Sequence, residues 1–314
     1  MTTAYLFDPI YMKHKTGHGH PERPERLSVI NNAIMAAPYY HDLVKIKPSL
    51  PDMQYIEMIH SPSYIQRVKR EITNGVEYLD SMDTAVCRDS FDIALKAVGG
   101  SLSMCDAIMD GLAINGFCAI RPPGHHAEKN SAAGFCIFNN IAIAARYLQS
   151  RHGIGRIAIV DWDVHHGNGT QHSFESNNTV IYISLHQYPH HYPGSGSPTE
   201  TGIGAGDGFT LNIPMQAGSG DREYIDAFCT RIIPALDAFK PEIILISAGF
   251  DAHHSDPLSS IRLSSDAYGE FTRILKAVAE RHSHSRMISF LEGGYDLGSL
   301  SESVMKMMDV IVNQ

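Results

Sequence analysis

Four short polar segments of this 314-residue chain carry side chains that can bind metal ions or transfer protons. They are residues 121–126, 161–169, 248–257 and 292–295. Each follows a short apolar run that is typical of a buried strand. Because ligands of an open parallel sheet bind beyond the carboxyl ends of its strands, the sequence predicts that the four segments meet at one site.

The second and third segments offer the ligands of a metal site. Asp161, Asp163 and His165 occupy alternate positions, and alternate side chains of an extended strand share one face. Asp251 follows another predicted strand and would supply a second carboxylate. A set of Asp163, His165 and Asp251 leaves a coordination position open for water, as in catalytic zinc sites. The alternative is that the aspartates cap a turn and His165 is a hydrogen-bonded core histidine.

The first and fourth segments offer groups for proton transfer. His125 and His126 follow a Pro-Pro-Gly turn, and imidazoles with pKa values near 6.5 can act as general base and general acid. We expect Asp161 to fix the tautomer of one imidazole and Asn168 that of the other. Tyr295 follows two glycines, and its phenolic O–H can donate to a developing oxyanion. The alternatives are an exposed histidine pair and a tyrosine that only packs.

The elements that must position these segments form an α/β pattern. Predicted strands cover residues 4–7, 117–120, 157–160, 180–184, 243–247 and 287–291. Predicted helices include residues 91–110, 139–151, 224–239 and 266–279. The alternation predicts a parallel sheet covered by helices on both faces. No linker, repeat or low-complexity tract divides the sequence, so we expect one domain over residues 1–314.

Composition limits the location and the partners of the protein. The 25 Lys and Arg against 34 Asp and Glu give a net charge of −9, which argues against direct nucleic-acid binding and fits a cationic partner. No apolar run approaches the roughly 18 residues of a membrane span, and the five cysteines show no CxxC spacing. We therefore expect a soluble cytoplasmic protein without membrane contact, whose cysteines are reduced and mostly buried. Two further histidine pairs among the 18 histidines, at 190–191 and 253–254, are interpreted as loop residues without a catalytic role.

The chemical segments resemble the zinc-dependent histone deacetylase family, in particular its class II branch with the bacterial deacetylases and acetylpolyamine amidohydrolases. DWDVHHGNGTQ at 161–171 and SAGFDAHHSDP at 247–257 carry the resemblance, and shorter matches lie at 20–26, 184–186 and 212–214. The resemblance implies a three-layer α/β/α arginase/deacetylase fold with a parallel sheet of about eight strands. It implies one catalytic Zn²⁺, held by the three ligands predicted above, with proton transfer by the first histidine pair and an oxyanion donor at Tyr295.

The family pattern also implies how substrate and product are held. It places Phe135 and Tyr192 as the walls of a narrow tunnel, although the family more often has Phe at the second position. It implies that Gly134 presents its backbone carbonyl to the substrate amide, and it places Leu258 near the rim of the tunnel. It places Asp83 against the substrate backbone and implies that Arg26 lines a channel through which acetate leaves.

A structural K⁺ ion is a second cofactor implied by the resemblance. In relatives a monovalent cation is held just behind the zinc. The implied ligands are backbone oxygens around Asp161, Asp163, His165 and Leu185, with the hydroxyl of Ser184.

The predicted function is hydrolysis of an N-acetylated amine by metal-activated water. The substrate is either an acetylated lysine side chain in a protein or a small acetylated polyamine or diamine. Polyamine-specific relatives often carry an acidic residue at the position of Leu258, which weakens the second choice. A dinuclear ureohydrolase, for which Asp256 is the only extra carboxylate nearby, is one alternative. An inactive acyl-lysine binding module, which would be expected to have lost a ligand or Tyr295, is another.

Overall fold

One eight-stranded sheet runs through the protein, whose computed structural model describes residues 2–313. Its strands are β1 (Thr3–Leu6), β2 (Val44–Ile46), β3 (Asn115–Cys118), β4 (Ile157–Asp161), β5 (Val180–Gln187), β6 (Thr210–Met215), β7 (Ile243–Ala248) and β8 (Met287–Leu291). The strand order is β2-β1-β3-β8-β7-β4-β5-β6, and every neighbouring pair is parallel. The predicted parallel sheet of about eight strands is confirmed.

Helices cover both faces of this sheet. They are α1 (Glu25–Ala36), α2 (Met53–Glu57), α3 (Pro62–Thr73), α4 (Ser90–Met109), α5 (Asn140–His152), α6 (Asn168–Phe174), α7 (Asp221–Ala227), α8 (Ile233–Phe239), α9 (Ser265–His282) and α10 (Leu297–Val312). Helices α4 and α5 pack together on one face, and α1, α9 and α10 pack on the other. The central strands are buried throughout, which explains their continuous apolar runs. The fold is the predicted three-layer α/β/α arrangement.

Several details differ from the sequence prediction, and the edge strand β6 is not among the predicted strands. Strand β2 was not predicted because it has only three residues, with the exposed Lys45 at its centre. Strand β3 ends at Cys118, two residues before the end of the predicted strand 117–120. The predicted helix 224–239 is divided into α7 and α8 by a π-helical segment, Phe228–Ile232. Pro234, near the start of α8, lacks the N–H that would continue a regular helical ladder.

The strand order brings the four chemical segments together. Strands β3, β8, β7 and β4, which they follow, are the four adjacent central strands. Asp161 pairs with Ser247, and Ser247 pairs in turn with Phe290. The carboxyl ends of these strands are therefore level, and the segments beyond them meet at one edge.

The helices and the cysteines bear on two expectations from composition, the absence of a membrane span and the burial of the cysteines. Within residues 2–313, no helix is both long and apolar enough to cross a membrane. All five cysteines are unpaired; Cys105, Cys118 and Cys136 are buried, Cys87 is partly buried and Cys229 is exposed.

A buried ion cluster fixes the first helix to the central strands. The carboxylate of Glu22 lies 3.1 Å from Arg26 Nη1 and 2.7 Å from Arg121 Nη2, and all three side chains are fully buried. The same Arg26 donates to the carbonyls of Glu292 and Gly294, each at 2.6 Å. The cluster therefore holds the backbone that leads to Tyr295.

We expect replacement of His14 by Gln to flatten the pH dependence of stability between about pH 6 and 4. His14 is buried beside the cluster, and burial, with Arg121 next, lowers its pKa to about 3. The unfolded chain takes up a proton near the ordinary value of 6.5, whereas the folded protein does not. This stabilisation is therefore complete above about pH 6.5 and is lost as the pH falls toward 3.

Urea unfolding at a series of pH values checks this prediction. As the pH falls, the free energy of unfolding of the wild type should drop more steeply than that of His14→Gln. The difference between the two slopes should reach about 1.4 kcal/mol per pH unit, which corresponds to the uptake of one proton on unfolding. Parallel curves for the two proteins would show that His14 is not the group that titrates.

Candidate active site

The predicted metal ligands form one buried cluster at the ends of two neighbouring strands. Asp163 and His165 follow β4, and Asp251 follows β7, which pairs with β4. One donor atom from each of the three lies within 4.8 Å of the other two. His165 Nδ1 lies 3.1 Å from Asp163 Oδ1 and 3.0 Å from Asp251 Oδ2. The structure brings the whole predicted ligand set together.

The charges of this cluster favour a cation. All three side chains are buried. Burial, with the neighbouring Asp163, raises the pKa of Asp251 to about 7. Burial alone would also raise the pKa of Asp163, but His125 and His165 outweigh it and lower this pKa. Two carboxylates and one imidazole suit Zn²⁺ or a similar divalent ion, so the residues present fit a metal cofactor.

Two glycines leave space for the ligand carboxylates. A Cβ atom built on Gly249 would overlap Asp163. One built on Gly293 would overlap Asp251 Oδ2 and lie 2.6 Å from Asp163 Oδ2. The Gly293 N–H also donates to Asp163 Oδ2 at 2.7 Å. Close approach of backbone and ligand therefore requires glycine at both positions.

We expect Gly293→Ala to weaken zinc binding by about tenfold or more, since the added methyl group displaces two carboxylates that must converge on one ion. Competition with a zinc chelator measures the affinity. Gly298→Ala is the matched control, because a Cβ atom there meets nothing closer than Asp296 Oδ1 at 3.5 Å. Wild-type zinc affinity in Gly293→Ala would contradict the prediction.

The predicted proton-transfer histidines lie side by side and have different partners. Their ring centroids are 4.0 Å apart. His125 Nδ1 lies 3.0 Å from Asp161 Oδ2, and His126 Nδ1 lies 2.8 Å from Asn168 Oδ1. Both predicted partners are thus in place, and Tyr182 also donates to Asp161, at 3.1 Å.

Burial and the neighbouring charges shift the pKa values of the two imidazoles in opposite directions. Burial alone would lower the pKa of His125, but Asp161 and Asp163 outweigh it and raise the pKa to about 10. Burial, followed by the charges of His125 and His165, lowers the pKa of His126 well below its ordinary value. At neutral pH, His125 therefore carries a charge and His126 is neutral.

Glu292 anchors the turn that carries this histidine pair. Its Oε2 atom accepts from the N–H groups of Gly124 at 2.7 Å and His125 at 3.2 Å. Burial raises the pKa of Glu292 to about 7. Glu292 has no assigned role in the sequence prediction, although its position directly after β8 is a signal that it faces the same edge.

Tyr295 is placed at the site by its backbone. Its N–H donates to Asp256 Oδ2 at 2.6 Å, and Arg26 lies 5.0 Å from the centre of its ring. Gly294 has φ +117°, a value that side-chain-bearing residues rarely adopt, and so permits the turn that presents the tyrosine. Asp256 also accepts from the N–H groups of Leu258 and Asp296, so its carboxylate serves as a backbone anchor.

A cavity of about 300 Å³ opens onto these groups. It is lined by Asp83, His126, Gly134, Phe135, His165, His190, His191, Tyr192, Leu258 and Tyr295. All five predicted substrate-binding residues are therefore on its wall, together with one metal ligand, one histidine of the pair and the phenol.

A tight turn presents one wall of the cavity. Gly134 and Phe135 both have positive φ, +54° and +69°, and Ala133 and Cys136 exchange two backbone hydrogen bonds around them. The Phe135 N–H donates to the buried hydroxyl of Thr84 at 3.2 Å. A Cβ atom on Gly134 would overlap the ring of His126, so the turn lies directly against the proposed proton carrier.

One of the two remaining histidine pairs, which are interpreted above as loop residues without a catalytic role, lies at the cavity. Both pairs lie in loops, but His190 and His191 line the cavity, and the ring of His191 stacks on that of His165 at 4.9 Å. His253 is buried and accepts from the Ser255 N–H at 3.1 Å. The loop after β5 carries no periodicity that could have indicated its path back to the metal cluster.

The implied K⁺ ligands lie in one buried region beside the metal cluster. Asp161 pairs with Ser184 across the β4–β5 ladder, and Leu185 follows on β5. The Ser184 hydroxyl lies 2.9 Å from His186 Nδ1.

A candidate divalent-ion site, two neighbouring imidazoles with oppositely shifted pKa values and a phenol meet at one cavity, an arrangement that is typical of metal-assisted hydrolases. The histone deacetylase domain, compared as a family model, matches residues 20–311. The chain therefore belongs to the histone deacetylase family, whose members hold a metal cofactor, typically zinc.

Individual relatives cover nearly the whole chain. A probable deacetylase of Archaeoglobus fulgidus is 39% identical over 299 residues, which span 95% of this chain and 82% of that protein. The human polyamine deacetylase HDAC10 is 36% identical over 90% of this chain, which spans 43% of its length. The crystal structure of the HDA15 HD domain matches with a TM-score of 0.94 and 36% identity, over 99% of this chain and 89% of that one.

Proposed function

We propose that the protein is a zinc-dependent amidohydrolase that removes acetyl groups from N-acetylated amines. The observation that carries the proposal is the cavity whose wall includes the ligand His165, the neutral imidazole of His126 and the phenol of Tyr295. A carbonyl group that reached the ligand cluster would meet all three. Membership of the histone deacetylase family supports the same chemistry.

Asp163, His165 and Asp251 would hold the proposed metal, whose chemistry there would be to polarise the acetyl carbonyl and to lower the pKa of a water molecule toward about 7. His126 is neutral and lines the cavity, so it accepts the proton of the attacking water and returns it to the departing amine. His125 remains protonated against Asp161 and provides positive charge behind its neighbour.

Tyr295 stabilises the oxyanion that develops on the substrate. Burial raises the pKa of its phenol well above the ordinary value. The hydroxyl therefore stays protonated at all physiological pH values and is available as a donor.

The rim of the cavity favours an acetylated lysine side chain over a polyamine. Among residues 2–313, Asp83 is the only carboxylate that lines the cavity, and its Oδ1 atom already accepts from Thr84 and Ser81. Phe135, Tyr192 and Leu258 supply apolar surface to the wall, which His190 and His191 also line. Acetyl-lysine and acetylputrescine share a four-carbon stem, so the far end of the stem decides between them. The free ammonium group of a polyamine would find one partly occupied acid at the rim, whereas the peptide backbone of an acetyl-lysine substrate carries no charge there that needs a partner.

The two alternative functions receive less support. Asp256, the extra carboxylate considered for a dinuclear ureohydrolase, is hydrogen-bonded to three backbone N–H groups. Among residues 2–313, only the cluster of Asp163, His165 and Asp251 groups three or more metal-ligand side chains closely enough for an ion. An inactive binding module would not be expected to keep every ligand and Tyr295.

We further propose that residues 1–314 work as one catalytic domain and that K⁺ occupies the region of Ser184 and Leu185. The continuous sheet that supplies all four chemical segments supports the first statement. Ser184 and Asp161 are buried and pair across the β4–β5 ladder, which supports the proposed K⁺ site.

A substrate panel with the zinc-loaded protein tests the proposed function. We expect an acetyl-lysine peptide to be hydrolysed with a kcat/KM at least about tenfold above that of acetylputrescine, since one misplaced charge contact costs on the order of 1.4 kcal/mol. The reverse order would assign the polyamine substrate. No hydrolysis of any acetylated amine would favour the binding module, and two Mn²⁺ ions per chain would favour the ureohydrolase.

A further inference from the structure

The carboxylate of Glu128 contacts the partner of the proposed proton carrier. Asn168 faces His126 Nδ1 with its Oδ1 atom and donates through Nδ2 to Glu128 Oε1 at 2.6 Å. His172 Nδ1 lies 2.8 Å from the same glutamate oxygen. Asn168 begins α6 and His172 lies one turn later, so one carboxylate bonds to two side chains of that helix.

The backbone around Glu128 is fixed on both sides. His60 Nε2 accepts from the Asn139 N–H at 2.9 Å, so its proton is on Nδ1 and is donated to the Glu128 carbonyl at 2.8 Å. The Glu128 N–H donates to the Ser131 carbonyl at 2.9 Å. These bonds direct the carboxylate toward Asn168.

An asparagine amide can face its neighbours in two orientations, with the carbonyl and amino groups exchanged. An ionised carboxylate only accepts hydrogen bonds, so Glu128 requires the amino group of Asn168 on its side. The carbonyl must then face His126 and requires a proton on Nδ1. This leaves a free lone pair on Nε2, which is the form that a general base needs.

The reversed amide would have the opposite effect. Its amino group would donate to His126 Nδ1, and the ring proton would then be on Nε2, where no lone pair remains to accept a proton. His125 does not face this ambiguity, because its partner Asp161 can only accept. The Asn168 amide places no further negative charge beside His126. Because this amide can adopt two orientations, a second group is needed to fix which one it takes.

We propose that Glu128 is a positioning residue that sets, through Asn168, which nitrogen of His126 carries the proton. The inference rests on the proposed function of His126 as the proton acceptor. Glu128 lines no part of the cavity and acts only through its neighbour.

Glu128→Gln tests the proposal, because glutamine keeps the size and the hydrogen bond but accepts and donates equally, so both orientations of Asn168 become possible. In the zinc-loaded protein we expect kcat to fall about twofold or more, in proportion to the fraction of His126 that loses the lone pair on Nε2, while KM stays unchanged. The melting temperature should stay within about 2 °C of the wild type.

Nitrogen-15 NMR of histidine-labelled, zinc-loaded protein reports the tautomer directly and does not depend on turnover. The His126 signals are identified by their loss in His126→Gln. The wild type should show a protonated Nδ1 and a lone-pair Nε2, and Glu128→Gln a mixture of both tautomers. A wild-type tautomer in Glu128→Gln would overturn the proposal, whereas a wild-type protein without deacetylase activity would overturn the proposed function instead.

Two further variants separate orientation from simple loss of charge. The exchange Asn168→Asp with Glu128→Gln places the acceptor-only group beside His126 and the amide behind it. It should restore one tautomer and raise kcat above that of Glu128→Gln, by about twofold. Glu175→Gln removes another carboxylate whose charge acts on His172 and should behave as the wild type. An exchange variant that recovers neither quantity, or a Glu175→Gln variant with the same loss, would overturn the proposal.

Discussion

Tyr295→Phe is expected to lower kcat at least about a hundredfold while the protein still binds one zinc ion. The substitution removes one oxygen atom, and the backbone bond from Tyr295 N–H to Asp256 that places the residue is kept. Removal of a preorganised oxyanion donor costs about 2.7–4 kcal/mol in other hydrolases. Because the donor acts on charge that develops only in the transition state, KM should change little.

Steady-state kinetics with an acetyl-lysine peptide, together with zinc analysis, measures this effect. Tyr192→Phe is a matched control, since it removes a phenolic oxygen from the same cavity at a position 41% exposed to solvent. We expect that variant to keep kcat within about threefold of the wild type. Near-normal turnover by Tyr295→Phe would remove this phenol from the chemistry.

Asp251→Asn is expected to abolish stoichiometric zinc binding and to lower kcat at least about a thousandfold, while leaving the metal-free protein as stable as the wild type or more so. Without a cation, burial beside Asp163 makes a charged Asp251 unfavourable, as its raised pKa of about 7 shows. The neutral amide removes that repulsion and can still accept from the Val164 N–H, which lies 2.8 Å from Oδ1.

Thermal unfolding with and without zinc separates the expected loss of zinc binding from the expected unchanged or higher stability of the metal-free protein. Zinc should raise the melting temperature of the wild type, since a ligand that binds only the folded state stabilises it, and should not raise that of Asp251→Asn. Asp256→Asn is the control, because that buried carboxylate bonds to backbone N–H groups and should leave zinc binding intact. A normal zinc shift in Asp251→Asn would remove this residue from the ligand set.

The convergence of the three proposed metal ligands could be predicted from the sequence because regular geometry determines their positions. Alternate residues beyond a parallel strand share a face, and β4 and β7 are neighbours, so Asp163, His165 and Asp251 converge without any contribution from loop structure. The same rule led to the histidine pair and to Tyr295. Strand β2 escaped prediction because an edge strand of three residues leaves no apolar run in the sequence.

The supporting residues could not be predicted, because their positions depend on the paths of loops. His191 reaches the metal cluster through a segment without periodicity, and Glu128 meets Asn168 only because His60 fixes its backbone. Glu292 stood directly after a predicted strand, but nothing in the sequence indicated that its carboxylate would accept from the turn before His125. Contacts of this kind join residues from different loops and have no characteristic spacing.

The position of β8 has a consequence for biosynthesis. This strand is the last of the eight in chain order, yet it lies between β3 and β7 in the middle of the sheet. The residues of β4 and β7, and with them the three proposed metal ligands, are therefore synthesised before β8. The histidine turn after β3 and the phenol beyond β8 join them in the sheet only when this strand is inserted. The proposed metal site can thus form in an incomplete chain, whereas the proposed active site is complete only after the final strand has closed the gap.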